Sequence, residues 1–188
     1  MSLANETWPR RHRLTVHDYH RMAEVGLLRP DARVELIDGE IIDMAPIASL
    51  HGAVVDLLAE RFITALTGAA LVRIQGAVQL GDVSEPQPDI ALLRPRADRY
   101  AGSQPRATDL LLVVEVSDTT LEFDTGDKAR LYARHGVPEF WVVDLTSRQL
   151  RVFRAPRGAE YGGRTMLEPG VVEIPGLGMS VDLSGLFF

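Results

Sequence analysis

The chain has 188 residues, 46% of them hydrophobic and 24% charged, with a net charge of −6 and no cysteine. This is the composition of a globular fold; it excludes disulfides, thiolate metal sites and a cysteine nucleophile, and it argues against a generic nucleic-acid coat protein, which would be basic. No apolar run approaches the roughly 18 residues of a membrane span and no charged-then-apolar leader is evident, so a cytoplasmic location is expected.

Residues 1–13 are polar, carry Trp8-Pro9 and then Arg10, Arg11 and Arg13, and read as a flexible arm. Residues 14–188 show no repeat, low-complexity tract or boundary, and read as one domain able to bury about two-thirds of its unfolded surface. Thr15 is placed to cap a helix over Val16–Glu24, with Asp18 at its third position and Gly26 beyond its end. Two strands, Val34 to Ile37 and Glu40 to Met44, flank Asp38-Gly39, a strong signal for a two-residue hairpin turn. From Ser49 to Leu66 the residues Leu50, Val54, Leu57, Leu58, Phe62 and Leu66 recur at helical spacing and predict the longest helix. His51 stands at its start, where a lone histidine is ordinarily a capping or surface residue.

Strands are then predicted over Ala70–Leu80, Asp89–Leu93 and Leu110–Val116. The Arg-, Pro- and Gly-rich stretch 94–108 between the last two reads as an exposed loop. A helix follows from about Thr125 to His135, with Asp124 as its cap and Gly136 as its stop. Phe140 to Val143, Arg148 to Arg154, Thr165 to Leu167 and Val171 to Ile174 read as strands, and the apolar end Leu186-Phe187-Phe188 should pack on the body or on a second copy. The order predicts an α+β (or α/β) domain, a mixed central sheet flanked by helices.

Chemistry concentrates between Pro88 and Lys128. Asp89 opens the apolar run Ile90 to Leu93, and Glu115 closes the run Leu110 to Val114. Strand alternation puts Leu111, Val113 and Glu115 on one face, where a carboxylate is costly unless paired or bound to metal. Two carboxylates at the ends of neighbouring strands suit a hard divalent cation, and a nearby ammonium can stabilise an anionic transition state. Lys128 is the chain's single lysine and shares a helix face with Leu131, Tyr132 and His135. Its bland alternative is a snorkelling lysine paired with Asp124. Glu35 lies on the hairpin, where periodicity alone does not reveal its face. The basic residues Arg10, Arg11 and Arg13, and Arg94, Arg96, Arg99 and Arg106 in the loop, are candidate backbone contacts; solvated surface is the simpler reading of both clusters.

Taken together, the run from Val34 to Glu40, Gln87-Pro88-Asp89-Ile90, Val114 to Asp118, and Lys128 with Leu131-Tyr132-Ala133 and Gly136 to Asp144 resembles the Uma-type "putative restriction endonuclease" family of the PD-(D/E)xK nuclease superfamily. The resemblance covers residues 14–188 and implies a restriction-endonuclease-like core. It implies a magnesium-dependent endonuclease acting on DNA, manganese being an alternative, with a homodimer to cut both strands. Asp89 and Glu115 would hold the metal, with the carbonyl of Val116 as a third ligand. Lys128 would be the catalytic lysine and Glu35 the additional acid from the N-terminal region. One departure is clear: the superfamily's usual lysine stands two residues after the acid, and here that position is Ser117. The alternative is a nucleic-acid-binding or regulatory module that keeps the fold with little or no activity. A partner-binding role through the apolar C-terminus leaves the carboxylate pair unexplained.

Overall fold

The computed structural model describes residues 11–188. The first ten residues of the expected arm, Arg10 among them, lie outside the described residues. Helix α1 (Val16–Glu24) forms as its cap predicts: Asp18 N–H donates to Thr15 Oγ1, and Thr15 N–H returns a bond to Asp18 Oδ2 at 2.9 Å. The hairpin of β1 (Val34–Ile37) and β2 (Glu40–Asp43) turns through Asp38 at φ 51° and Gly39 at φ 78°. Two left-handed residues in succession make a type I′ turn, whose twist matches the strands it joins. A Cβ on Gly39 would also lie 2.5 Å from Arg13 Cβ, so the entering chain crosses directly over this turn.

Helix α2 (Ser49–Ala65) is the longest, as expected, but its buried face is Val54, Val55, Leu58, Ala59 and Phe62, and Leu50 is exposed. The strand predicted over Ala70–Leu80 is cut short: β3 is Leu71–Ile74, and Gln75, at φ 46°, breaks it. Val78 and Leu80 instead bond back to Pro86 and Ser84, forming a small arch beside β1. Strands β4 (Ile90–Leu93) and β5 (Leu110–Ser117) are buried throughout.

The helix after β5 begins earlier than predicted. Helix α3 (Leu121–Phe123), a π-helical turn (Asp124–Lys128) and α4 (Ala129–Arg134) run on continuously. Asp124 therefore sits inside the helix and does not cap it. Gly136, at φ 72°, ends it as expected: its N–H bonds Ala133 O and the Val137 N–H bonds Tyr132 O, the paired closure that a left-handed residue permits. Then come β6 (Glu139–Asp144), β7 (Gln149–Arg157), β8 (Glu160–Leu167), β9 (Val171–Ile174) and β10 (Met179–Asp182). The last was not predicted.

Strands β3 to β8 form one six-stranded sheet in sequence order, with β5 and β6 parallel and every other pair antiparallel. This mixed sheet between helices is the predicted α+β architecture. On one face, Val54, Leu58, Phe62 and Leu66 of the α2 region and the β9–β10 hairpin cover Leu92, Val114, Trp141 and Val143. On the other, Leu131, Tyr132 and Ala133 of α4 cover Ala91, Val113, Phe140 and Val142. Burying each such Leu, Phe or Val contributes about 1.5–3 kcal/mol relative to leaving it exposed.

The β4–β5 register slips between Leu92 and Leu93, which face Leu112 and Leu110. Leu111 is the extra residue and packs on the α2 face, so the predicted row of Leu111, Val113 and Glu115 is broken at its first member. At the C-terminus Leu186 is fully buried against the chain's own body, Phe187 is half-buried and Phe188 is exposed. Most of that apolar end is thus accounted for without a second copy. Among the described residues, no helix is long and apolar enough to cross a membrane.

Candidate active site

Asp89 immediately precedes β4 and Glu115 lies near the end of β5; because the two strands are antiparallel neighbours, both acids reach the same end of the sheet. The β1–β2 hairpin brings Glu35 to the same point, and the π-helical turn brings Lys128. A cleft of about 300 Å³ opens over all four, walled by the loop from Met44 to Ala48 on one side and by Thr119, Thr120 and Phe123 on the other.

Lys128 is buried, with only 5% of its surface exposed, and is not paired with Asp124. Its Nζ lies 3.0 Å from Glu115 Oε1 and 3.1 Å from Glu35 Oε1. The other oxygen of Glu35 accepts the Gln87 N–H at 3.1 Å, so Glu35 is fully engaged in holding the lysine. The Glu115 contact is a hydrogen bond and the Glu35 contact an ion pair. Asp124 has different partners, the hydroxyls of Ser117 and Thr120. Ser117 therefore ties down the turn from which Lys128 projects. A π-helical turn is uncommon and frequently marks a functional site.

Both strand-end acids line the cleft, and each is held mainly through one oxygen. Glu115 Oε1 accepts from Lys128 and, at 2.9 Å, from the Tyr132 hydroxyl. No bond forms to Glu115 Oε2 among the described residues, and that atom is not sealed from solvent. Asp89 Oδ2 accepts the Val116 N–H at 2.8 Å and lies 3.1 Å from His51 Nε2. Asp89 Oδ1 has one long contact, from Gln75 Nε2 at 3.3 Å. A main-chain oxygen joins them. Val116 directs its backbone toward β4, as its bond to Asp89 shows, and continuing the ladder from the Ile90–Val114 rung would pair it with residue 88. Residue 88 is proline and has no N–H to give. The Val116 carbonyl is left without a strand partner.

Burial pushes the Glu115 carboxyl well above its ordinary value, and neighbouring Asp124, Asp89 and Glu35 add to that against the opposing pull of Lys128. Burial works against the Lys128 ammonium, but Glu115, Glu35 and Asp124 outweigh it and hold the lysine cationic. A single ammonium among several buried acids thus stays charged without offsetting the cost of burying Glu115. Asp89 behaves differently. Burial raises it, yet bonds from His51, the Val116 N–H and Gln75 more than offset this and leave it below the ordinary carboxylate value. In the cleft lining, Glu35, Asp43, Asp89, Glu115, Asp118 and Asp124 face Arg33 and Lys128 as permanent cations.

All four predicted side chains thus converge, and the Val116 backbone lies beside them. The candidate arginines of the 94–108 loop do not. Arg94, Arg96, Arg99 and Arg106 belong to the loop joining the far ends of β4 and β5, and none lines the cleft. Arg96 is spent on Asp98 and lies 4.3 Å over the Tyr100 ring, and Arg94 bonds Thr108 O. Arg11 pairs with Glu40 on the exposed surface. Arg33, whose Nη1 bonds Ala45 O at 3.1 Å, is the arginine at the cleft rim. Sequence reasoning passed over His51 and took Tyr132 for core packing. For Tyr132 a signal existed, since it stands one helical turn beyond Lys128 on the same face; nothing local ties His51 to Asp89.

A family model described as Uma2, putative restriction endonuclease, matches residues 16–184. No curated protein matches the chain. Among solved structures, five chains match. One is a putative nuclease belonging to DUF820 from Anabaena variabilis, which superposes with a TM-score of 0.70 at 16% identity, covering 93% of this chain and 97% of that one. At that identity the likeness establishes a shared fold.

Proposed function

Since the chain belongs to the Uma2 family of putative restriction endonucleases, we propose that the cleft hydrolyses phosphodiester bonds of DNA with a divalent cation, magnesium or manganese. One observation carries this reading: Asp89, Glu115 and Val116 line the same cleft, where Glu115 Oε2 has no partner among the described residues, Asp89 Oδ1 has a single long one, and the Val116 carbonyl has no strand partner. The donor set suits such an ion. Among the described residues no three His, Asp or Glu side chains gather as a metal site, but magnesium is commonly held by one or two carboxylates with water and substrate phosphate completing its shell. Asp89, Glu115 and the Val116 carbonyl supply oxygen alone, which favours magnesium or manganese over zinc.

When bound, the cation would polarise the scissile phosphate and acidify an attacking water. The chain's own groups do the rest. The Lys128 ammonium, with one N–H bonded to Glu115, has donors left for a phosphate oxygen as charge develops there. Glu35, itself fixed by the Gln87 N–H, keeps the ammonium in place. Arg33 at the rim offers a backbone phosphate contact, which positions without reading sequence. The second reading, a binding module with little activity, draws on the acid excess of the cleft and on a lysine already committed to two carboxylates.

Supercoiled plasmid incubated with the protein should relax in magnesium or manganese and stay intact in chelator. Asp89→Asn should abolish the nicking. Plasmid that is retained by the protein but never broken, with either metal, would favour the second reading.

Each cleft holds one such constellation, so cutting both strands in one encounter requires two, and a homodimer belongs to the proposal. Sedimentation at micromolar concentration should give twice the mass of the chain. A monomer would remove the dimer and leave nicking of one strand as the expected reaction.

A further inference from the structure

Two rings that the reading above does not use lie against its two acids. His51 comes from the first turn of α2, on one face of the sheet, and Tyr132 from α4, on the other. Each has a single polar use. His51 Nε2 meets Asp89 Oδ2, while His51 Nδ1 is buried with no partner among the described residues. A carboxylate only accepts, so Nε2 carries the hydrogen of this contact. The Tyr132 ring is fully buried, 4.8 Å from Phe140, and its hydroxyl makes one bond, to Glu115 Oε1. A leucine at position 51 or a phenylalanine at position 132 would supply the same apolar contact without burying a polar atom that needs a partner.

Both rings grip the oxygen that other donors already hold. Asp89 Oδ2 also takes the Val116 N–H, and Glu115 Oε1 also takes Lys128. Each carboxylate is thereby held through one oxygen, which leaves Glu115 Oε2 without a partner among the described residues and Asp89 Oδ1 with only the Gln75 contact. Gln75, at 3.3 Å from Asp89 Oδ1, is too distant to compete strongly for it.

We propose that His51 and Tyr132 are opposed positioning residues, which clamp Asp89 and Glu115 from the two faces of the sheet so that one oxygen of each is presented to a divalent cation. The inference rests on the metal reading above and adds residues to it. Groups that orient metal ligands ordinarily change affinity by about 10–100-fold when removed. The clamps act on different acids, so their effects should multiply.

The test is calorimetric titration with manganese, with melting curves of the metal-free proteins run beside it. Tyr132→Phe should melt as a folded protein and bind manganese about tenfold or more weakly. His51→Ala should weaken binding similarly. His51→Gln, whose amide nitrogen can occupy the place of Nε2, should recover most of the affinity. The double variant Tyr132→Phe with His51→Ala should lose the product of the two factors. Wild-type affinity in a folded Tyr132→Phe would overturn the inference while leaving the metal reading standing. Absence of manganese binding by the wild-type chain would overturn both.

Discussion

Lys128→Ala is expected to lose about 3–5 kcal/mol of stability in the metal-free protein and about two to three orders of magnitude in strand cleavage. The first figure follows from burial. The ammonium is enclosed with Glu35 and Glu115, which are themselves only 3% and 4% exposed. Removing it leaves two carboxylates in a poorly hydrated place with no cation. Against a total stability of about 5–15 kcal/mol, such a loss brings the protein close to unfolding at ordinary temperature. Loss of activity in this variant alone would therefore say little. Lys128→Met combined with Glu35→Gln separates the two effects, because it removes one charge of each sign and keeps the side-chain volumes. That double variant should melt nearer the wild type than Lys128→Ala does, yet remain deficient in plasmid nicking. Lys128→Arg should rescue poorly, since a planar guanidinium does not fit between two carboxylates placed around a compact ammonium. If Lys128→Ala melted within about 1 kcal/mol of the wild type and nicked plasmid at full rate, the lysine would have no part in the site.

The second large effect is on cation-dependent stability. Magnesium or manganese at 100 times its dissociation constant should stabilise the wild-type chain by about 2.7 kcal/mol. Asp89→Ala and Glu115→Ala should each remove that increment. The quantity to compare is the shift on adding metal, because the two variants differ before any metal is added. In Glu115→Ala, Lys128 keeps Glu35 as its partner, while the Tyr132 hydroxyl loses its acceptor. In Asp89→Ala, the Val116 N–H and His51 lose their acceptor, and an unsatisfied buried donor costs about 1–3 kcal/mol. Equal metal-induced shifts in the wild type and both variants would place any bound cation elsewhere on the molecule.

Asp89, Glu115 and Lys128 were legible because each breaks a local pattern, whereas Glu35 breaks none. Glu115 ends an unbroken apolar run, Asp89 begins one after a proline, and Lys128 interrupts a helix face that is otherwise core. The Asp38-Gly39 turn and the Thr15 cap were legible for the same reason: their chemistry is complete within four residues. What stayed hidden depends on contacts remote in sequence. His51 meets Asp89 across 38 positions, and no spacing rule connects a helix start to the edge of a strand. The Ala70–Leu80 run has strand composition throughout, but Gln75 adopts a left-handed backbone and sends Val78 and Leu80 into the other core layer. Asp124 looks like a cap because it precedes a helical pattern; the hydroxyls of Ser117 and Thr120 take it into the helix instead. For the loop arginines the simpler reading, solvated surface, fits the fold, since antiparallel pairing carries the middle of the interval between Asp89 and Glu115 to the opposite end of the sheet.

Pro88 decides where β4 stops being a strand and where the cleft begins. With an N–H at that position the two chains would zip one rung further and draw the Val116 carbonyl into the ladder. The sheet forgoes one hydrogen bond, about 1 kcal/mol net, and the liberated oxygen faces the same space as two carboxylates. That oxygen differs in kind from its companions. It belongs to the main chain, so no side-chain replacement at position 116 deletes it, and its place is set by the hydrogen-bonded frame of the sheet. A chain stripped of Asp89 or Glu115 would still present it, whereas a residue bearing an amide hydrogen at position 88 could close the gap from which it looks out.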